Sequence, residues 1–226
     1  MQEGARAAGQ DVYNPPEWAR HTPFNEFVHW HMWSIAYDNF EMYREALQCS
    51  DRALPLARQL FSERADLLPA AHMERGDVLR GLGDQALAAG ALAEAAEWDR
   101  QAEVAYQESL MTRPPATTPE NRHSRSYVWH QIGVFNNERE RYAYAEDAYA
   151  RTLALKPDSA PTFFARGKNQ AQWGIAEVEA GRLESGLAHL RQARVYAVTS
   201  LGMNYPTAAG LLKAIEVALQ RFGATG

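Results

Sequence analysis

RSYVWHQIGVFNNERERYAYAEDAYARTLALKP, residues 125–157, decides the fold. Its first half, up to Glu140, carries large apolar residues at helical spacing, with Trp129, Ile132 and then the small Gly133. Its second half runs through Ala145, Tyr149, Thr152 and Leu153 and stops at Pro157. Both halves have the 3.6-residue period of helices that bury one face, and ERERYAYAED, from Glu138, mixes signs at helical spacing and reads as a solvated face with local ion pairs. The stretch therefore predicts two antiparallel helices joined tightly.

Working outward, Pro23, Pro69, Pro119, Pro161 and Pro206 each stand where a helical pattern begins, at intervals of 46, 50, 42 and 45 residues. Proline suits a first helical turn because its missing N–H has no intrahelical partner there. Thr22 and Thr118 precede two of these prolines and offer hydroxyl caps. A nearly constant period in the forties is the mark of stacked helical repeats. Each interval divides into two helical segments; in the second, the turn is placed near Gly90. The expected architecture is all-α: an α-solenoid of about four antiparallel helix pairs, with a last helix after Pro206 capping the open end. Residues 1–21 read as a flexible N-terminal arm, and 22–226 as the repeat domain.

Composition agrees. The chain has 226 residues, 46% hydrophobic and 23% charged, enough apolar content to bury a core. Val, Ile and Thr together number 23, too few for an all-β fold. Cys49 is the only cysteine, which excludes an intrachain disulfide and any thiolate-rich metal site; amid EALQCSDRAL it reads as an inert buried thiol. A net charge of −5 argues against a nucleic-acid partner. No run approaches 18 apolar residues, so no membrane-spanning helix is expected, and an N-terminus without an apolar signal core points to the cytoplasm.

The third interval, through Trp129, Gly133, Ala145, Tyr149 and Pro157, resembles the tetratricopeptide repeat family. The first interval shares the pattern in part through Trp30, Ser34, Tyr37, Ala46 and Ala53, and the second through Ala102, Tyr106, Ser109 and Pro114. The fourth shares it loosely through Trp173, Gly174, Gly186, Leu190 and Ala193. The spacing from Ala145 to Gly186, 41 residues, exceeds the family's unit by about two helical turns, which keeps the buried face. A HEAT-like repeat shares this period. The family resemblance implies a concave groove lined by first helices. It places His31, Ile35, Asp38 and Asn39, then His130, Val134, Asn137 and Glu138, then Val178 and Glu179 in that groove. Some family members clamp a terminal carboxylate with lysines there; His31 and Ile35 stand in their place, so that ligand class is not expected.

Chemistry-bearing motifs are sparse. His29 and His31 are two apart and point to nearly opposite sides of a helix, and no HExxH occurs. Trp30, Trp33, Tyr37, Trp129, Tyr149 and Trp173 fall at packing positions; Trp18 reads as a tether for the arm. GDVLRGLGD, from Gly76, lacks the strand and Gly-Lys ending of a phosphate loop and reads as a loosened helix end. The expected function is that of a non-catalytic scaffold, assembly chaperone or accessory subunit that binds a protein or peptide, with no catalytic residue, metal or cofactor. The alternative is a helical-repeat enzyme or metal protein using His31, Asp38, His130 and Glu138. A third reading is a subunit of a larger complex that docks through its convex face or its arm.

Overall fold

The computed structural model describes residues 15–223, so most of the predicted arm lies outside the described residues. The described part of that arm includes a single 3₁₀ turn, Glu17–Arg20, against the first helix. There the Asn25 amide donates to the Trp18 carbonyl at 3.0 Å and the Trp18 ring meets His29 edge-on at 6.1 Å.

Nine α-helices follow among the described residues, with no strand. They are α1 (Pro23–Asn39), α2 (Tyr43–Leu60), α3 (Leu67–Ala88), α4 (Leu92–Thr112), α5 (Pro119–Glu138), α6 (Tyr142–Leu155), α7 (Ala160–Glu179), α8 (Leu183–Gly202) and α9 (Ala208–Gly223). Adjacent helices pack in pairs, as a solenoid stacks them. The chain divides at Pro114–Pro115 into two compact units. In the first, α1 pairs with α2 and α3 with α4, while α2 packs on α3. In the second, α5 pairs with α6 and α7 with α8; α6 packs on α7, and α9 covers α8. No helix of the described residues is long and apolar enough to cross a membrane.

The expected caps form. Thr22 Oγ1 accepts from the Asn25 N–H at 3.1 Å and Thr118 Oγ1 from the Asn121 N–H at 3.2 Å. Proline opens α1 and α5 at their first positions, stands second in α7, third in α3, and two residues ahead of α9. Pro55 lies inside α2 without ending it.

Every pair turns in the same way. A left-handed residue ends the first helix at Glu41 (φ 58°), Gly90 (72°), Glu140 (55°) and Gly181 (79°); Asn204 (61°) does the same after α8. The next N–H reaches back to the carbonyl five residues earlier: Met42 to Tyr37, Ala91 to Ala86, Arg141 to Asn136 and Arg182 to Glu177, at 2.8–2.9 Å, and Tyr205 to Ser200 at 3.2 Å. This is the Schellman closure, which satisfies carbonyls that a helix end leaves orphaned.

Counted from these turns, the small residues fall in register. Seven positions before the turn stand Ser34, Gly83, Gly133 and Gly174; five after it, Ala46, Ala95, Ala145 and Gly186; twelve after it, Ala53, Ala102, Thr152 and Ala193. All twelve are buried. They let the paired backbones approach: a Cβ on Gly174 would stand 2.8 Å from the Gly186 carbonyl oxygen, and one on Gly133 would stand 2.4 Å from the Tyr149 ring. Two residues after the turn, Tyr43 and Tyr142 reach the next pair of their own unit. Tyr43 fills the notch at Gly81, and Tyr142 stacks on Trp173 with centroids 6.3 Å apart.

One expectation is corrected. The Gly76–Asp84 run is not a loosened helix end; it lies in the middle of α3. Gly76 and Gly81 are notches, because a Cβ there would come within 2.6 Å of Tyr106 and 2.3 Å of Tyr43. Of the aromatic residues expected in the core, Trp30 and Tyr149 are fully buried, whereas Trp33, Tyr37, Trp129 and Trp173 are half-buried.

Two substitutions test this register. Glu140→Gly removes the Cβ penalty of a left-handed turn and is expected to stabilise the chain by about 0.5–1 kcal/mol in urea unfolding. Gly133→Ala drives a methyl into Tyr149 and is expected to cost roughly 1–3 kcal/mol. A neutral result for Gly133→Ala would mean that the close approach does not hold α5 against α6.

Candidate functional site

In the first unit, the predicted groove residues lie on α1, next to the helix it shares with α3. His31 is half-buried and stacks on Phe27 at 5.1 Å, and burial lowers its pKa. Ile35 and Asp38 are half-buried and Asn39 is exposed. Burial raises the Asp38 carboxyl, and the positive Arg80 of α3 opposes that rise.

The most perturbed group on this face is one the sequence reading did not single out, Glu74 of α3. Its Oε1 lies 3.1 Å from Ser34 Oγ of α1, and Ser34 Oγ lies 3.1 Å from the Ala46 carbonyl at the start of α2. Burial, with the negative charge of Asp38 added, pushes the Glu74 carboxyl up to about 8. One turn on, Asp77 accepts the Tyr106 hydroxyl of α4 at 2.8 Å. In the structure Ala71 and Val78, three before and four after Glu74, are both buried, so Glu74 sits on the inward stripe of its helix; in the sequence the only signal was that these two residues are apolar.

The second unit repeats the placement on α5 and α7 with different chemistry. His130 Nδ1 lies 3.1 Å from Thr162 Oγ1, which in turn lies 2.8 Å from Ser159 Oγ. The His130 ring packs near Tyr149 at 5.8 Å, and burial lowers its pKa. Asn137 is buried; its Nδ2 donates to Gln172 Oε1 at 2.9 Å, while its Oδ1 has no hydrogen-bond partner among the described residues. Val134 is half-buried between these two polar residues and Glu138 is exposed. Val178 points elsewhere: its side chain closes on Gly186 of α8, within 2.5 Å of where a Cβ there would stand. Glu179 is exposed at the end of α7. The structure thus brings His130 and Asn137 together with α7 partners, and sets Val178 against Gly186 of α8.

Further along α7, Gln170 Oε1 lies 2.7 Å from His189 Nδ1, and the His189 ring stacks on Trp173 at 4.0 Å. Arg166 grips Glu146 of α6 at 2.6 Å and lies over the Tyr196 ring at 4.5 Å. These contacts join α6, α7 and α8 and are structural.

No group of three metal-ligating side chains is assembled among the described residues. Within α1, His31 and Asp38 are seven residues apart, about 10 Å along the axis, and His130 and Glu138 are separated by about 12 Å. Neither pair converges on one point within its helix. A cleft of about 130 Å³ lies beside Arg44 and Glu94, which pair at 3.2 Å. It is well below the roughly 300 Å³ at which small-molecule pockets begin.

Comparison with protein-family models finds no match, and no curated protein is similar in sequence.

Burial sets the protonation of these imidazoles. His31, His72, His130 and His189 all have pKa values lowered chiefly by desolvation. A base whose folded pKa is depressed contributes stability that is lost as pH falls from its unfolded value of about 6.5 through the folded one. Nitrogen NMR of the imidazoles is expected to show all four more than half neutral at pH 6.5, with midpoints below that value. A midpoint above 6.5 for His130 would sink the desolvated placement against Thr162.

Proposed function

We propose that the chain is a non-catalytic, cytoplasmic binding module that holds a protein or peptide segment against the first helices of its pairs. In the first unit that face is α1 and α3, with His31, Ile35, Asp38 and Asn39. In the second it is α5 and α7, with His130, Val134, Asn137 and Glu138. The reading makes the protein a scaffold, assembly chaperone or accessory subunit of tetratricopeptide-like build. The turn-counted register of small residues, with Trp30 and Trp129 each eleven residues before a turn, supports that likeness.

The fixed polar groups on α5 carry the reading: Gln172 holds the Asn137 amide nitrogen and Thr162 lies 3.1 Å from His130 Nδ1, on either side of the half-buried Val134. The half-buried Val134 and Ile35 supply apolar contact beside polar groups already fixed in place. Fixing them in advance lowers the ordering cost of association.

The catalytic alternative needs His31 with Asp38, or His130 with Glu138, to act on one substrate atom. Their separation along each helix, and the use of His130 Nδ1 by Thr162, favour binding instead.

A photo-crosslinking amino acid placed at Ile35 or Val134 is expected to capture a defined segment of a partner in the native lysate, and one at Val195 on α8 is not. Asn137→Ala should then weaken that partner's affinity roughly tenfold. Capture from Val195 alone would move the interface to another face.

A further inference from the structure

Ser34 has one hydroxyl proton and two acceptors to serve. Its Oγ lies 3.1 Å from the Ala46 carbonyl oxygen and 3.1 Å from Glu74 Oε1. A hydroxyl donates once and accepts twice. If Glu74 were a carboxylate, one of the two contacts would set lone pair against lone pair inside a mostly buried site. If Glu74 keeps its proton, all three oxygens are served: Glu74 O–H donates to Ser34 Oγ, and Ser34 O–H donates to the Ala46 carbonyl.

We infer that Glu74 is a neutral carboxylic acid in the folded protein at pH 7, the head of a relay that ties α3 through α1 to α2, and that raising the pH breaks this three-helix joint. The inference does not depend on the proposed binding function.

The surroundings agree. From α1, Asp38 faces Glu74 with negative charge; from its own helix, Asp77 does the same. Asp77 is engaged by the Tyr106 hydroxyl of α4, and Arg80 acts on Asp38. From α2 comes the Ala46 carbonyl, while Asp51 of that helix is paired with Arg75. His31, one turn before Ser34, is stacked on Phe27 and held neutral by burial. Burial is the largest cause holding the carboxyl up to about 8, Asp38 and Asp77 add to it, and a Ser34 hydroxyl donating to a carboxylate would pull it down.

The sign follows. Folded Glu74 keeps its proton to a higher pH than the unfolded chain, where a glutamate titrates at about 4.3. Folding takes up a proton between those values, so this contribution is complete at low pH and disappears as pH rises through the folded value. The Cys49 thiol, pushed up to about 11, acts in the same direction at still higher pH, so a Glu74 variant is needed to separate them.

The test is carbon NMR of the full chain with ¹³C-labelled glutamate carboxyls, the Glu74 signal being the one that Glu74→Gln removes. A midpoint above pH 7 is expected; one below pH 7 overturns the inference. Ser34→Ala is expected to lower that midpoint, because it removes the acceptor of the acid's proton; a rise would mean that Ser34 donates to a carboxylate and that no relay exists. Urea midpoints give an independent readout should Glu74→Gln be too unstable for spectra. Between about pH 7 and pH 9 the wild-type midpoint should fall more steeply than that of Glu74→Gln. Parallel curves would overturn the inference.

Discussion

Everything in this fold depends on how closely two helices come together just beyond each turn. Three small residues set that distance, seven before and five and twelve after a left-handed residue. With alanine, glycine, serine or threonine at those positions the backbones approach until carbonyl oxygens would strike any added Cβ, as at Gly174 and Gly186. Close approach then leaves wider gaps elsewhere, and the large residues fill them: Tyr149 over Gly133, Tyr106 over Gly76, Tyr43 over Gly81. Interiors pack at crystal-like density, so each notch has only one well-fitting occupant. The register of small residues therefore determines where the tyrosines go, and the tyrosines in turn hold neighbouring helices in place.

The same constraint decides what the first helices can expose. Once the stripe bearing Ser34 or Gly133 is committed to the partner helix, the stripes beside it meet the next first helix of the unit or solvent. His130 and Asn137 fall on such a stripe and find Thr162 and Gln172 on α7. Ser34 itself does double duty, as a small residue in the register and as a hydroxyl that links Glu74 to Ala46. Glycine at that position, as in the other three pairs, would pack as well but could carry no proton. The first pair thus holds a hydroxyl at the place where the other three pairs hold glycine.

Much of the architecture was legible because its signals are local. Helical periodicity, the capping threonines and the Gly90 turn lie within a few residues of what they determine. The Gly76–Asp84 run was misread because a notch glycine and a terminating glycine look alike in sequence. What separates them is a tyrosine, Tyr106 or Tyr43, at least 30 residues away. Glu74 went unnoticed for the same reason: AHMERGD has the look of a solvated helix face, and Ser34 lies 40 residues upstream. Counting from the left-handed turns recovers the register in the second pair, where Gly83, Ala95 and Ala102 take the positions of Gly133, Ala145 and Thr152. Periodicity by itself could not find it there, since Gly76 and Gly81 in the same helix offer rival small positions.

The two perturbed faces impose opposite demands on pH. Neutral, desolvated imidazoles make the structure resist acid less well, while a protonated Glu74 makes it resist base less well. Both result from one cause: the first helices bury polar side chains that pair with each other rather than with water. Under the proposed binding role that burial has a use, because side chains already held in place have less freedom to lose when a partner docks. Sensitivity on both sides of neutrality is therefore the physical consequence of that burial, because the charged forms of His130 and Glu74 are the ones that it disfavours.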